Sequence, residues 1–286
     1  MLKIILDTDV GCDCDDVGAM AILAHAVRAG DCSLLGVGHA VDTSCGRAFI
    51  RRFLKQYGID VPVARCALKG FMSEEKWHGY AAPYEDDAPA DMYPDAVRLY
   101  RRLLAENDDI TFVTIGSFVN VSRLMQSGSD EISPLDGLTL IERSVNRFVC
   151  MAGNFENYKQ KEFNVLCDAP GAVFFTEHCP VPAVYLGFET GLNVRTGHAL
   201  AESGNRMLKD AYKHFDPVSF LRPSWDPMTV YYAICGEGGF MKLSEPVTVR
   251  FDAASNTVVS AGGKDRYLSL DAEPEKAAEV LDAIIQ

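Results

Sequence analysis

Cations are scarce in this chain: 27 Lys and Arg stand against 40 Asp and Glu in 286 residues, a formal net charge of -13 at pH 7. That imbalance argues against a nucleic-acid partner, because binding to a phosphate backbone draws most of its affinity from clustered Lys and Arg. Solubility is the simpler account of the acid. Long apolar runs are missing as well. No stretch approaches the roughly 18 uninterrupted apolar residues of a membrane span. The opening Met1-Leu2-Lys3-Ile4-Ile5-Leu6 runs into acidic residues without the cleavage site of a signal peptide. A cytoplasmic protein with no membrane partner is the expectation. Paired cysteine motifs are also lacking. The 9 cysteines are odd in number and sit in apolar contexts such as Phe148-Val149-Cys150-Met151, which suits reduced thiols rather than a disulfide frame. Cys12 and Cys14 are not spaced as a CxxC pair and no second pair follows, so a structural zinc site is not expected.

What is present is an alternation. Short apolar runs at 3–6, 33–37, 110–115, 147–151 and 181–186 read as buried parallel strands. Helical patterns at 15–29, 45–57, 91–106 and 170–177 lie between them. Such alternation predicts an α/β fold: a mostly parallel sheet flanked by helices, with ligands at the carboxyl ends of the strands. Residues 70–91, rich in Gly, Pro, Tyr and acid, predict a long lid-like loop near those ends. Near the C-terminus, 246–251 and 257–261 predict a small antiparallel hairpin, followed by a last helix over 273–285. With no repeat or linker between these elements, one domain spanning 1–286 is the expected organisation.

The chemistry is concentrated in Asp7-Thr8-Asp9-Val10-Gly11-Cys12-Asp13-Cys14-Asp15-Asp16, five carboxylates in ten residues directly after a buried strand. Like charges this close raise one another's pKa values, and a bound cation is the usual means of keeping several ionised. Hard carboxylate oxygens select Ca²⁺ or Mg²⁺ over thiophilic metals. Helix capping by Asp15 and Asp16 is the plainer reading, but it accounts for only one or two of the five. Gly11 permits the tight turn that folds Asp9 back towards Asp16.

These residues resemble the opening of the inosine-uridine-preferring nucleoside hydrolase family, in a branch carrying the longer DTDxGxDxDD form. The resemblance continues in order along the chain. Ile115-Gly116-Ser117-Phe118-Val119-Asn120 is similar to the family's GPLTN segment, and Met151-Ala152-Gly153-Asn154 to its MGG segment. Glu162-Phe163-Asn164 with Asp168-Ala169-Pro170 resembles its EFN motif, and Trp225-Asp226-Pro227 its HDP motif. The resemblance implies Ca²⁺ held by Asp9, Asp16, Asp226 and the Val119 carbonyl. Ribose would then be bound by Asp15, Asn154, Glu162 and Asn164, and Asp9 would take a proton from water. It further implies hydrolysis of a ribonucleoside or related N-riboside in nucleoside salvage, by a homo-oligomer, dimer or tetramer.

The pattern breaks in places. Trp225 stands where inosine-cleaving members have a His that protonates the departing base, and an indole cannot serve as that acid. Stacking on a base is the role left to Trp225, with core packing as the bland alternative. His78, in Trp77-His78-Gly79-Tyr80, is the expected replacement acid, and His39 or Asp42 stands where the family has an Asn. Val10 takes the place of a proline, at little expected cost beyond local stiffness. Two other functions fit parts of the sequence. Asp7 and Asp9 after a strand resemble a haloacid dehalogenase-type phosphatase, although Gly11 and the run to Asp16 are foreign to it. A ribose-binding protein that kept the metal and lost its acid would also carry Trp225.

Overall fold

Ile4, Ile5 and Leu6 are each wholly shielded from solvent, as a strand covered on both faces requires. The computed structural model describes residues 1–85, 88–89 and 92–286. Its strands are β1 (Leu2–Thr8), β2 (Cys32–His39), β3 (Val63–Ala64), β4 (Ile110–Thr114), β5 (Val145–Met151), β6 (Ala183–Leu186), β7 (Arg195–Thr196), β8 (Arg222–Pro223), β9 (Met241–Leu243), β10 (Val247–Phe251), β11 (Thr257–Ala261) and β12 (Arg266–Leu270). Its helices are α1 (Asp15–Ala29), α2 (Ser44–Gln56), α3 (Ala96–Glu106), α4 (Val119–Met125), α5 (Gly137–Ser144), α6 (Phe163–Cys167), α7 (Ala169–His178), α8 (Phe188–Leu192), α9 (Arg206–Phe215), α10 (Trp225–Cys235) and α11 (Pro274–Ile285).

Eight strands form one sheet in the order β3-β2-β1-β4-β5-β6-β12-β9, parallel except for β9 at the edge. Two apolar clusters cover its faces. Ile4 and Leu6 of β1 join the cluster that contains residues of α1, α2, α9, α10 and α11, whereas Ile5 joins the one that contains residues of α3, α4, α5 and α7. The strand order reverses between β1 and β4, and a crevice opens outside the carboxyl ends at such a switch point.

The expected hairpin is β10 paired with β11, antiparallel in register from Val247–Ala261 to Phe251–Thr257. Beyond it the chain does something its sequence pattern does not suggest: β12 returns to the main sheet beside β6 and pairs with β9, adding two strands. Helix α3 begins at Ala96, capped by the Asp95 side chain, rather than at 91; Asp91 itself lies outside the described residues. In the expected lid, two 3₁₀ turns at Glu75–Trp77 and Gly79–Tyr84 replace part of the loop, with Tyr80 and Ala81 buried.

Two glycines set the approach of elements at the crevice. Gly11 has φ +110°, and a Cβ there would stand 2.6 Å from the Trp77 carbonyl oxygen. Gly18 on α1 lies so close to α9 and α10 that a Cβ would meet the Tyr212 hydroxyl at 2.3 Å and Pro227 Cγ at 3.3 Å. That closeness brings the first turn of α1 against the first turn of α10, and so Asp15 and Asp16 against Asp226.

Candidate active site

A cavity of about 320 Å³ lies at the carboxyl ends of β1, β4 and β5. Asp9, Cys12, Asp13, Asp15 and Asp16 line it from the acidic turn, Asp226 and Trp225 from α10, and Glu162, Phe163 and Asn164 from the start of α6. Ile115, Met151, Phe188, Arg222 and Trp77 complete the wall.

One side of this wall is a carboxyl cluster. Oxygens of Asp15, Asp16 and Asp226 come within 4.8 Å of one another, all three residues buried. The Asp226 backbone N–H donates to Asp15 Oδ2 at 3.0 Å, and the Asp9 N–H to Asp16 Oδ1 at 3.2 Å. Thr8 Oγ1 also donates to Asp16 Oδ1. Asp16 Oδ2, by contrast, is buried without a hydrogen-bond partner. A buried carboxylate oxygen left without a partner costs free energy unless a cation takes it. Burial, then the neighbouring acids, push Asp15, Asp16 and Asp226 well above the ordinary carboxylate range. Burial, with repulsion from Asp13 and Asp15, lifts Asp9 to about 8. A hard divalent cation would remove this penalty at one stroke, so the residues present fit one.

A second part of the wall is polar but self-contained. Glu162 caps α6, accepting from the backbone N–H groups of Asn164 at 2.7 Å, Val165 at 3.1 Å and Gly153 at 3.3 Å. Burial still raises it to about 7, against those hydrogen bonds. Asn164 Nδ2 donates to the carbonyls of Met151 at 3.1 Å and Ile115 at 3.3 Å, which ties α6 to the ends of β5 and β4.

Aromatic rings and one cation form the rest. Trp225 is stacked on Phe188 with centroids 5.4 Å apart, and its Nε1–H donates to the Phe188 carbonyl at 2.7 Å. Trp77 lies 5.9 Å from Phe163. Arg222 donates to both carboxylate oxygens of Asp13, from Nε at 2.8 Å and from Nη2, while its guanidinium sits 5.6 Å from the Trp225 ring. Behind the turn, the Tyr80 hydroxyl accepts from Gly11 N–H at 3.1 Å and donates to the Asp13 carbonyl at 2.8 Å.

Of the residues expected from sequence, Asp9, Asp15, Asp16, Glu162, Asn164, Trp225 and Asp226 meet at this cavity. Val119, Asn154 and His78 are not on its wall. Val119, the first residue of α4, is buried with Ala40 and Cys66, and its carbonyl accepts from Ser122 Oγ at 3.4 Å. The Asn154 oxygen is taken by the backbone N–H groups of Asn157 at 2.7 Å and Glu156 at 3.2 Å, closing its own turn. His78 joins the two 3₁₀ turns, its carbonyl accepting from Ala81 N–H at 2.9 Å. His39 and Asp42 also lie off the wall. His39 is fully buried, its Nε2 2.9 Å from the Val10 carbonyl, and burial lowers it to about 4. Asp42 accepts from Gly70 N–H at 2.7 Å. Sequence reasoning missed Arg222 and Phe188, whose partners lie far away in the chain.

The family model for inosine-uridine preferring nucleoside hydrolase matches residues 4–284. The chain belongs to that family. Solved structures of the same fold include an inosine-guanosine nucleoside hydrolase at 19% identity and TM-score 0.75, covering 100% of this chain and 99% of that one. An inosine-uridine preferring nucleoside hydrolase from Bacillus anthracis, at 17% identity and TM-score 0.74, covers 100% and 99%. The type III effector protein XopQ, solved with adenosine diphosphate ribose, matches at 19% identity and TM-score 0.75 over 99% and 92%. At these identities the likeness is one of fold. No curated protein matches the sequence. Family and fold together support hydrolysis of an N-glycosidic bond and leave the phosphatase alternative without support. Among the described residues, no helix is long and apolar enough to cross a membrane.

Proposed function

We propose that the protein catalyses calcium-dependent hydrolysis of the N-glycosidic bond of a ribonucleoside or related N-riboside, releasing base and ribose. The observation that carries this reading is the buried trio Asp15, Asp16 and Asp226, with one unpartnered oxygen on Asp16, facing a cavity large enough for a nucleoside. In this reading the convergent carboxylates hold the ion, so that Asp15 serves as a ligand as well as, or in place of, a ribose contact. Calcium supplies a Lewis acid that lowers the pKa of water and orders hydroxyl oxygens. Asp9, beside the trio, is the base that accepts the proton of the attacking water. Asn164 and Glu162 set the far wall against which ribose rests. Water adds to C1′, the bond to the base nitrogen breaks, and the electron pair leaves with the base. The protein acts in solution on a small-molecule substrate, as a homo-oligomer.

A non-catalytic ribose-binding protein is the second reading, favoured by Trp225, whose side-chain N–H is committed to Phe188. Release of reducing sugar from a panel of ribosides, with calcium and with a chelator, tests the proposal. Turnover that disappears on chelation and in Asp16→Ala is the expected result. Ribose binding without turnover of any riboside would establish the second reading instead.

A further inference from the structure

For a hydrolase, the reading on which this inference rests, the charge balance of the cavity bears directly on the leaving group. The wall carries six carboxyl groups and one guanidinium, and that guanidinium is committed to Asp13 through Nε and Nη2. Even with a divalent cation bound, acid outnumbers positive charge. No histidine, lysine or tyrosine lies on the wall among the described residues. The Trp225 N–H is spent on the Phe188 carbonyl, an arginine cannot give up its proton, a cysteine thiol such as that of Cys12 is a weak donor, Glu162 is turned to backbone N–H groups, and the carboxyls of the acidic cluster are given over to the cation and to water. A neutral purine or pyrimidine leaving from such a site departs as an anion, among carboxylates and without a proton. A ring that is already cationic at its glycosidic nitrogen departs neutral. Four aromatic side chains, Trp225 with Phe188 and Trp77 with Phe163, stand on the same wall, and two of these rings already draw protein cations, Arg222 over Trp225 and Lys76 over Trp77, as aromatic faces do.

We infer that the preferred substrates are N-ribosides whose aglycone is a positively charged aromatic heterocycle, of the pyridinium class. In the step itself the C1′–N bond breaks and its electron pair neutralises the ring nitrogen. Water forms the new C1′–O bond and its surplus proton passes through Asp9 to solvent. The products are a neutral heterocycle, ribose and one proton, with no acid required.

The test compares kcat/KM for the β-riboside of 3-carbamoylpyridinium with that for inosine and uridine, in calcium. A preference of about 10²-fold or more for the pyridinium riboside is expected, since the neutral nucleosides forgo general-acid help worth about 10²- to 10⁴-fold. Trp225→His, which restores a donor, should narrow that ratio by raising inosine turnover. As a readout independent of turnover, the N-methyl-3-carbamoylpyridinium cation should inhibit at least about 10-fold more tightly than neutral 3-carbamoylpyridine. Inosine or uridine cleaved as well as the pyridinium riboside, or equal inhibition by the two rings, would overturn the inference and leave the hydrolase reading standing. Failure of every riboside would overturn both.

Discussion

The two polar sides of the cavity are built on opposite principles. At the first turns of α1 and α10, three acids face one another with few donors, and Asp16 Oδ2 has none. At α6, Glu162 and Asn164 spend their hydrogen bonds on backbone groups of the protein itself. The first side leaves a buried oxygen that an outside cation could take; the second is complete and holds a shape. A binding site needs both, because a rigid wall fixes the geometry against which the unsatisfied wall can act.

Removing one acid should have the largest effect. Asp16→Asn is expected to lower kcat/KM on the order of 10³-fold, as loss of a central electrostatic element does. It should also raise the thermal midpoint in chelator by relieving repulsion, and abolish any upward shift on adding calcium. A lowered midpoint in chelator would mean that Asp16 is paired rather than frustrated.

Calcium and pH sharpen the contrast. Asp9, at about 8 in the fold against 3.8 ordinarily, binds its proton more tightly folded than unfolded. Its contribution to stability is therefore full below pH 3.8 and is lost as pH rises through 8. Denaturation in chelator should show stability falling across that range, and calcium should suppress the fall. At a hundred times its dissociation constant the ion should add about 2.7 kcal/mol.

Arg222→Ala frees Asp13 and loosens the acidic turn. Calcium affinity should drop by about 10- to 100-fold, the range for groups that orient metal ligands, as titration calorimetry would measure. The smallest effect is expected on the complete wall. Glu162→Gln keeps the shape but turns an amide towards backbone donors, costing about 1 kcal/mol by denaturation. Glu162 itself is raised to about 7 from 4.5, so its share of stability is lost as pH rises from 4.5 through 7. That part of the pH dependence should vanish in the variant and, unlike the Asp9 part, persist in calcium.

The sheet's central strands and the acidic turn were legible because their causes are local: apolar runs make β1, β4 and β5, and charge crowding within ten residues marks a cluster that could hold a cation. Elements fixed by distant partners were not. Strand β12 reads as Arg266-Tyr-Leu-Ser-Leu270, a half-polar run that becomes a sheet strand only beside β6 and β9. Arg222 acquires its role from Asp13, 209 positions earlier. Asn154 and His78 looked available in sequence because nothing local revealed that a backbone turn would claim the Asn154 oxygen or that Trp77 rather than His78 would line the cavity.

The most direct test is a crystal grown with calcium and measured for anomalous scattering. The account predicts one ion about 2.3–2.6 Å from oxygens of Asp16 and Asp226, with Asp15 or Asp9 completing the protein's carboxylate set. Calcium absent from this cluster at saturating concentration, or bound elsewhere while hydrolysis proceeds, would contradict it.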